Sequence, residues 1–279
     1  MTILCTVLML MLLVFSGEAA ASALSAARCF ATGVMPCLAP MMALGKLLPA
    51  SAESSLLPAA LYGFAAGSPA SAQRAAGIAG MERRTWESLL CLSGVMSPMF
   101  FTGTLAGWLN SRADGWKLLI IHWAGAALAA AVWRCLCRPP QDAPASKGNA
   151  APPRVSLPQA ISQTAQSLVC ILGAMVVFAA LAGLLQSMLA AAFPRWTARH
   201  GAWLAVLHAF LESGGGASAL CQSMQKPHAA LSAACGFGGL SILLQNMLFL
   251  EGRIRPARLA AMRTLHAAFS FALAKIIWP

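Results

Sequence analysis

Little of this chain is charged. Asp, Glu, Lys and Arg together make up 10% of its 279 residues, against about 25% in soluble domains. That is too little charge to coat a water-facing surface, so an ordinary soluble fold is excluded. Recognisable catalytic signatures are also missing. There is no His-Glu-x-x-His run for a metalloprotease, and Cys91 stands where a Gly-x-Ser-Gly nucleophile motif at Ser93-Gly94 would need its first glycine. No catalytic residue, metal site or cofactor is expected, and the chain does not read as an enzyme. The formal net charge of +11 comes from Lys and Arg scattered as loop punctuation, not from a basic stripe interleaved with aromatics, so nucleic acid is not an expected partner. The nine cysteines form no disulfide framework: Cys37, Cys91, Cys170 and Cys235 lie inside apolar runs. The Cys135/Cys137 pair has no further ligands near it.

What is present is apolar. Hydrophobic residues reach 59% and the mean hydropathy is +0.71. These values point to an all-α polytopic membrane bundle whose main partner is the lipid bilayer. At roughly 20 apolar residues per crossing, about 8–9 spans fit. The run Met1 to Phe15, followed by small residues at Ala19 to Ala23, has the look of a signal peptide. No Lys or Arg precedes it, so residues 1–23 are read as an uncleaved N-terminal membrane helix. Apolar stretches follow near 29–49, 56–72, 88–109 and 117–137, and again near 160–193, 201–222, 229–250 and 258–278. Between the two sets lies the polar, Pro/Ala-rich segment 138–157, with Lys147, Asn149, Pro152 and Arg154. It buries too little apolar surface to offset its ordering entropy and reads as a flexible linker, expected in the cytoplasm. Lys and Arg fall on both alternating sets of loops, so orientation is not read from them.

The two sets of stretches resemble each other. Lys117-Leu-Leu-Ile-Ile-His122 parallels Ala261-Met-Arg-Thr-Leu-His266 at an offset of about 144 positions, and at that offset Cys91, Gly94 and Ser97 fall on Cys235, Gly238 and Ser241. Leu61 to Pro69 runs parallel to Leu207 to Gly215 within two positions of it. Residues 24–137 and 158–279 are therefore expected to be two related transporter repeats. Both carry helix breakers in matching places. Gly67-Ser68-Pro69 corresponds to Glu212-Ser213-Gly214-Gly215-Gly216, and Ser97-Pro98 to Gly236-Phe237-Gly238-Gly239. Broken helices free backbone groups that lipid cannot satisfy, so they are tolerated only where they line a protected cavity. In secondary transporters such breaks meet near the bilayer midplane and bind the solute.

Several of these residues carry a family resemblance. Glu87 to Leu105, with its Ser97-Pro98-Met-Phe100-Phe-Thr-Gly103 run, resembles a stretch of YlbJ-type sporulation integral membrane proteins, which belong to the nucleoside-recognition (Gate) domain group. Gly67-Ser68-Pro69-Ala-Ser-Ala-Gln73 is similar to that family's Gly-Tyr-Pro-x-Gly-Ala-Lys motif. His122 resembles its helix-start histidine, and Glu212-Ser213-Gly214-Gly215 and Gly238-Gly239-Leu240-Ser241-x-x-x-Gln245 resemble its second-half elements. Ser68 stands where the family has Tyr, Gln73 where it has Lys, and Ser97 where it has Gly. The resemblance implies a small-anion transporter. Its implied solute is dipicolinic acid, moved across the cell membrane surrounding the forespore during endospore formation. Alternatives are a nucleoside-like solute, or an assembly role without transport.

On this reading the solute-binding residues are Gly67, Ser68, Pro69, Ser97, Pro98, Glu212, Ser213, Gly214, Gly215, Gly238, Gly239, Ser241 and Gln245. Glu212 is the carboxylate farthest inside an apolar stretch, costly in lipid. It either meets the solute or a coupling proton, or ends a helix and reaches the interface. His122 and His266 either relay protons or bond helix to helix. Arg74 either meets a carboxylate or is a loop arginine. Oligomeric state is left open.

Overall fold

The computed structural model describes residues 2–48, 56–78, 81–136 and 155–279. Every regular element among them is helical. α1 (Thr2–Val14) turns at Phe15 into α2 (Ser16–Cys29), which passes through a π-helical turn, Phe30–Val34, into α3 (Met35–Leu47). The boundary expected at residue 23 thus falls inside α2. The alanines around it resemble a processing site, yet alanine is the best helix former and the helix runs straight through. The π turn sits just before Pro36, which has no N–H to give the preceding turn, and Pro40 interrupts α3 again.

α4 (Leu56–Ala66), α5 (Ala70–Ala76) and α6 (Arg83–Ser93) are short. A π-helical turn at Phe100–Leu105 leads through α7 (Ala106–Trp108) to the long α8 (Arg112–Leu136). The linker expected over 138–157 lies outside the described residues up to 154. α9 (Leu157–Ala192) starts with a reciprocal cap in which Ser156 and Gln159 satisfy each other's backbone N–H, with Pro158 in the first turn. α10 (Pro194–Arg199), α11 (Gly201–Leu211), α12 (Ser213–Ser223), α13 (His228–Phe237), α14 (Gly239–Leu250) and α15 (Pro256–Ile277) complete the chain.

Five described helices are long and apolar enough to cross a membrane: Ser16–Leu47, Arg112–Leu136, Leu157–Ala192, His228–Leu250 and Pro256–Ile277. Cys5–Val14, Leu57–Ala66 and Gly201–Leu211 are apolar but shorter. Apolar side chains such as Ile120, Val169, Val177, Leu248 and Ile276 are exposed along the long helices, as a lipid-facing wall requires.

α8 and α15 pack against each other at the centre. A methyl group on Gly125 would lie 2.3 Å from Ser270 Oγ, so only a glycine admits this approach. α6, α7, α13 and α14 pack around this pair. Phe101, Leu105, Leu118, Leu119, Leu220 and Leu231 form one apolar cluster. Ile78, Trp86, Leu89, Trp133, Leu250 and Leu259 form a second. The second is closed at one end by Glu87, 1% exposed, which accepts from Arg83 Nε at 2.8 Å, from Arg258 Nη2 and from Trp133 Nε1 at 3.1 Å. Arg83 also donates to the Arg253 carbonyl, at 2.5 Å. At the other end of α8, beside the first cluster, Lys117 lies over the Trp278 ring, 5.7 Å away, and His228 stacks on the same ring at 4.4 Å. These contacts suit an aromatic interfacial belt.

Candidate functional site

Each of the four sequence-level breakers interrupts a helix. Gly67 ends α4 at φ 75°, a left-handed conformation that glycine adopts without strain. Ser68 N–H then donates to the Val95 carbonyl at 2.6 Å, so the first break is tied to the second. The second break covers residues 94–97, and helix resumes at Pro98. The third is Glu212, in extended conformation between α11 and α12. The fourth is Gly238, at φ 82°, between α13 and α14. A methyl group on Gly239 would lie 3.1 Å from Ser213 N and 3.3 Å from the Leu211 carbonyl oxygen, so the third and fourth breaks are also in contact.

The first three border one cavity, and α14, which follows the fourth, completes its wall. Its polar wall comes from Ser68 and Pro69, Ser97, Glu212 to Gly214, and Ser241 and Gln245. Its apolar wall comes from Val34, Leu38, Met96, Phe100, Ile171, Met175 and Ile242, with Cys29 beside them. Water centres fit within about 70 Å³ of it, several times the roughly 10–15 Å³ that one water needs. Ser241 Oγ and Gln245 Nε2 are buried there without a hydrogen-bond partner among the described residues. Orphaned polar atoms on a cavity wall call for a water or a ligand to satisfy them.

Glu212 is 2% exposed. Its Oε1 accepts from Gly214 N at 2.7 Å and its Oε2 from Gly215 N at 2.6 Å, so it caps α12 while lining the cavity. Glu212 therefore ends a helix, as one of the two expectations had it, but in the interior and not at the interface. The backbone N–H groups and the positive end of α12 offset its charge. The same contacts occupy the two N–H groups that this helix would otherwise present to an anion.

Behind Ser68 is a second layer. Ser68 Oγ donates to Asn246 Oδ1 at 2.6 Å and accepts from Arg263 Nη2 at 3.1 Å. Neither Asn246 nor Arg263 was singled out from sequence. The available signal was an arginine well inside a mostly apolar helix, a placement that is costly in a membrane.

Five of the expected solute-binding residues do not line the cavity. Gly67, Gly238 and Gly239 shape the breaks, Gly215 serves Glu212, and Pro98 starts the next helix segment. His122 and His266 are buried away from it, with ring centres 4.4 Å apart. His122 Nε2 accepts from Met96 N–H at 2.9 Å and thereby holds the second break, and His266 Nε2 lies 2.8 Å from the His122 carbonyl oxygen. With that geometry the His122 proton sits on Nδ1 and the His266 proton on Nε2. Arg74 is buried too, its Nη1 donating to the Leu48 carbonyl at 3.0 Å. Among the described residues no cluster of His, Cys, Asp and Glu could hold a metal ion.

No family profile, curated protein or solved structure matches the chain.

Proposed function

We propose that the chain is an integral membrane transporter of a small anionic solute, bound in the cavity beside the helix breaks. The convergence of three of those breaks on one cavity, with Ser241 Oγ and Gln245 Nε2 unsatisfied on its wall, is the observation that carries this reading. Polar backbone at membrane depth is tolerated only around such a cavity.

The order of elements supports two related halves. α4, a break, α5, then α6, a break, a π turn with α7, then α8 is followed later by α11, a break, α12, then α13, a break, α14, then α15. His122 of α8 and His266 of α15, paired by sequence offset, are in ring contact at the interface of the halves. One broken pair, His228–Leu250, is already among the five long helices; counting the other three as crossings or re-entrant hairpins gives the eight spans at the lower end of the sequence expectation. Transport by alternating access would rock one half against the other around the cavity, as in other inverted or parallel repeat carriers.

For the solute we carry forward dipicolinic acid, on the resemblance to YlbJ-type proteins, and with it a membrane around the forespore. A bare Glu212 would repel a dianion. Here two backbone N–H groups and the α12 N-terminus offset it. The test is uptake of labelled dipicolinate into proteoliposomes, with nucleosides as competitors and Glu212→Gln as the variant. We expect saturable uptake that nucleosides leave unchanged. Glu212→Gln should lower it by roughly tenfold, because the amide can accept from one of the two N–H groups but not both. Uptake no greater than in empty vesicles, under either direction of proton gradient, refutes dipicolinate as the solute. Uptake that Glu212→Gln leaves intact removes Glu212 from the mechanism.

A further inference from the structure

Arg263 is a buried cation in need of a counter-charge. It is 4% exposed on α15, in the row that also buries Leu259, Met262, His266 and Ser270. Gly94 leaves it room: a methyl group there would lie 3.2 Å from the guanidinium carbon. Ser68, Ser71, Cys91, Asn246 and Arg263 surround a void of about 10 Å³ next to the main cavity, and Ser68 lines both. The ion pairs among the described residues leave Arg263 out. Glu87 is paired with Arg83 and Arg258, and Asp114 with Lys117 and His228. Glu212 faces the cavity from the other side with both oxygens on backbone N–H groups. The remaining ionisable neighbours are Cys91, His122 and His266, none of which is an anion at neutral pH in its ordinary form. A guanidinium stays protonated under all physiological conditions, so among the described residues the charge balance beside Ser68 is positive.

We propose that Arg263 is the charge-recognition residue of the site. It rests on the transporter reading above. An anionic oxygen of the solute enters beside Ser68 and accepts from the guanidinium, taking over the donor that Ser68 Oγ now receives. Ser68 keeps its hydroxyl bond to Asn246. The planar fork suits a carboxylate, to which it can give two parallel hydrogen bonds. Discrimination between anionic and neutral solutes then lies in α15, a helix that no motif in the breaks points to.

The experiment measures binding of dipicolinate and of its neutral diamide to the purified full-length protein, for wild type, Arg263→Lys and Arg263→Met. We expect wild type to bind the dianion roughly tenfold or more tightly than the diamide. Arg263→Met should erase that preference while diamide affinity stays within about threefold, and Arg263→Lys should keep part of it. Wild type that binds both probes equally overturns the proposal, even if Arg263→Met does not fold. A preference that survives intact in Arg263→Met overturns it too, and leaves the transporter reading standing. Wild type that binds neither probe overturns both.

Discussion

Replacing Glu87 by glutamine should separate the elements it ties together. The carboxylate is 1% exposed and receives Arg83 from its own helix, Trp133 from α8 and Arg258 from α15. Glutamine has the same shape, but its one carbonyl oxygen can serve only one arginine, and its amide N–H groups face the other. Breaking a buried pair from one side costs about 3–5 kcal/mol. The arginine side chains are 19% and 21% exposed, so water recovers part of that, and about 2–4 kcal/mol remains. At about 2–4 °C per kcal/mol for a domain of this size, the midpoint should fall by roughly 4–16 °C. Thermal unfolding of the detergent-purified protein, followed by tryptophan fluorescence, measures it. The pH dependence gives a sharper check. Burial works to raise the Glu87 pKa, but the hydrogen bonds from Arg258, Arg83 and Trp133 outweigh it, and the net shift is below the ordinary value of 4.5. A lowered folded-state pKa means the contribution is complete above the unfolded value and is lost as pH falls through the folded one. The gap between wild type and Glu87→Gln should be constant from neutral pH down to about 5 and close progressively below 4.5. A midpoint shift under about 2 °C, or a gap that does not narrow in acid, would show that the network adds little.

Two backbone predictions bear on the breaks. Gly67→Ala should cost roughly 2 kcal/mol or more, since it combines positive φ with a methyl group 2.5 Å from Ser97 N; well-folded Gly67→Ala with normal uptake would contradict the geometry of the first two breaks. Gly216→Ala places a methyl group 2.1 Å from Ala209 Cα and should force α11 and α12 apart, with loss of monodisperse protein on size exclusion. Gly173→Ala, which meets nothing within 4 Å on the exposed side of α9, should be neutral or mildly stabilising and serves as the control.

The breaks were legible because each rests on local chemistry. Gly67 and Gly238 supply positive φ, Pro69 and Pro98 lack an N–H, and an acid at Glu212 followed by small residues is what a helix start wants. The contact between His122 and His266 was legible in part, as matching positions in two similar stretches. The apolar wall of the cavity was not. Val34, Leu38, Ile171 and Met175 look no different in sequence from Val169 or Val177, which face outward. In a water-soluble helix the two faces differ in polarity and the pattern reveals the core. In a membrane bundle lipid, core and cavity wall are all apolar, so periodicity loses its information and only polar residues remain diagnostic.

That loss also explains why Arg263 and Glu212 deserve different weight. Both are ionisable residues in apolar helices, and insertion costs alone rank them together, at about 2.5–3.5 kcal/mol each. Contacts separate them. Glu212 finds its partners within three residues of itself, at Gly214 and Gly215, so its burial follows from helix capping whether or not a solute binds. Arg263 reaches across the bundle to Ser68, 195 positions away in sequence, and no carboxylate among the described residues pairs with it there. A charge that folding alone would remove, and that local structure does not explain, is better accounted for by a ligand of opposite sign than by stability.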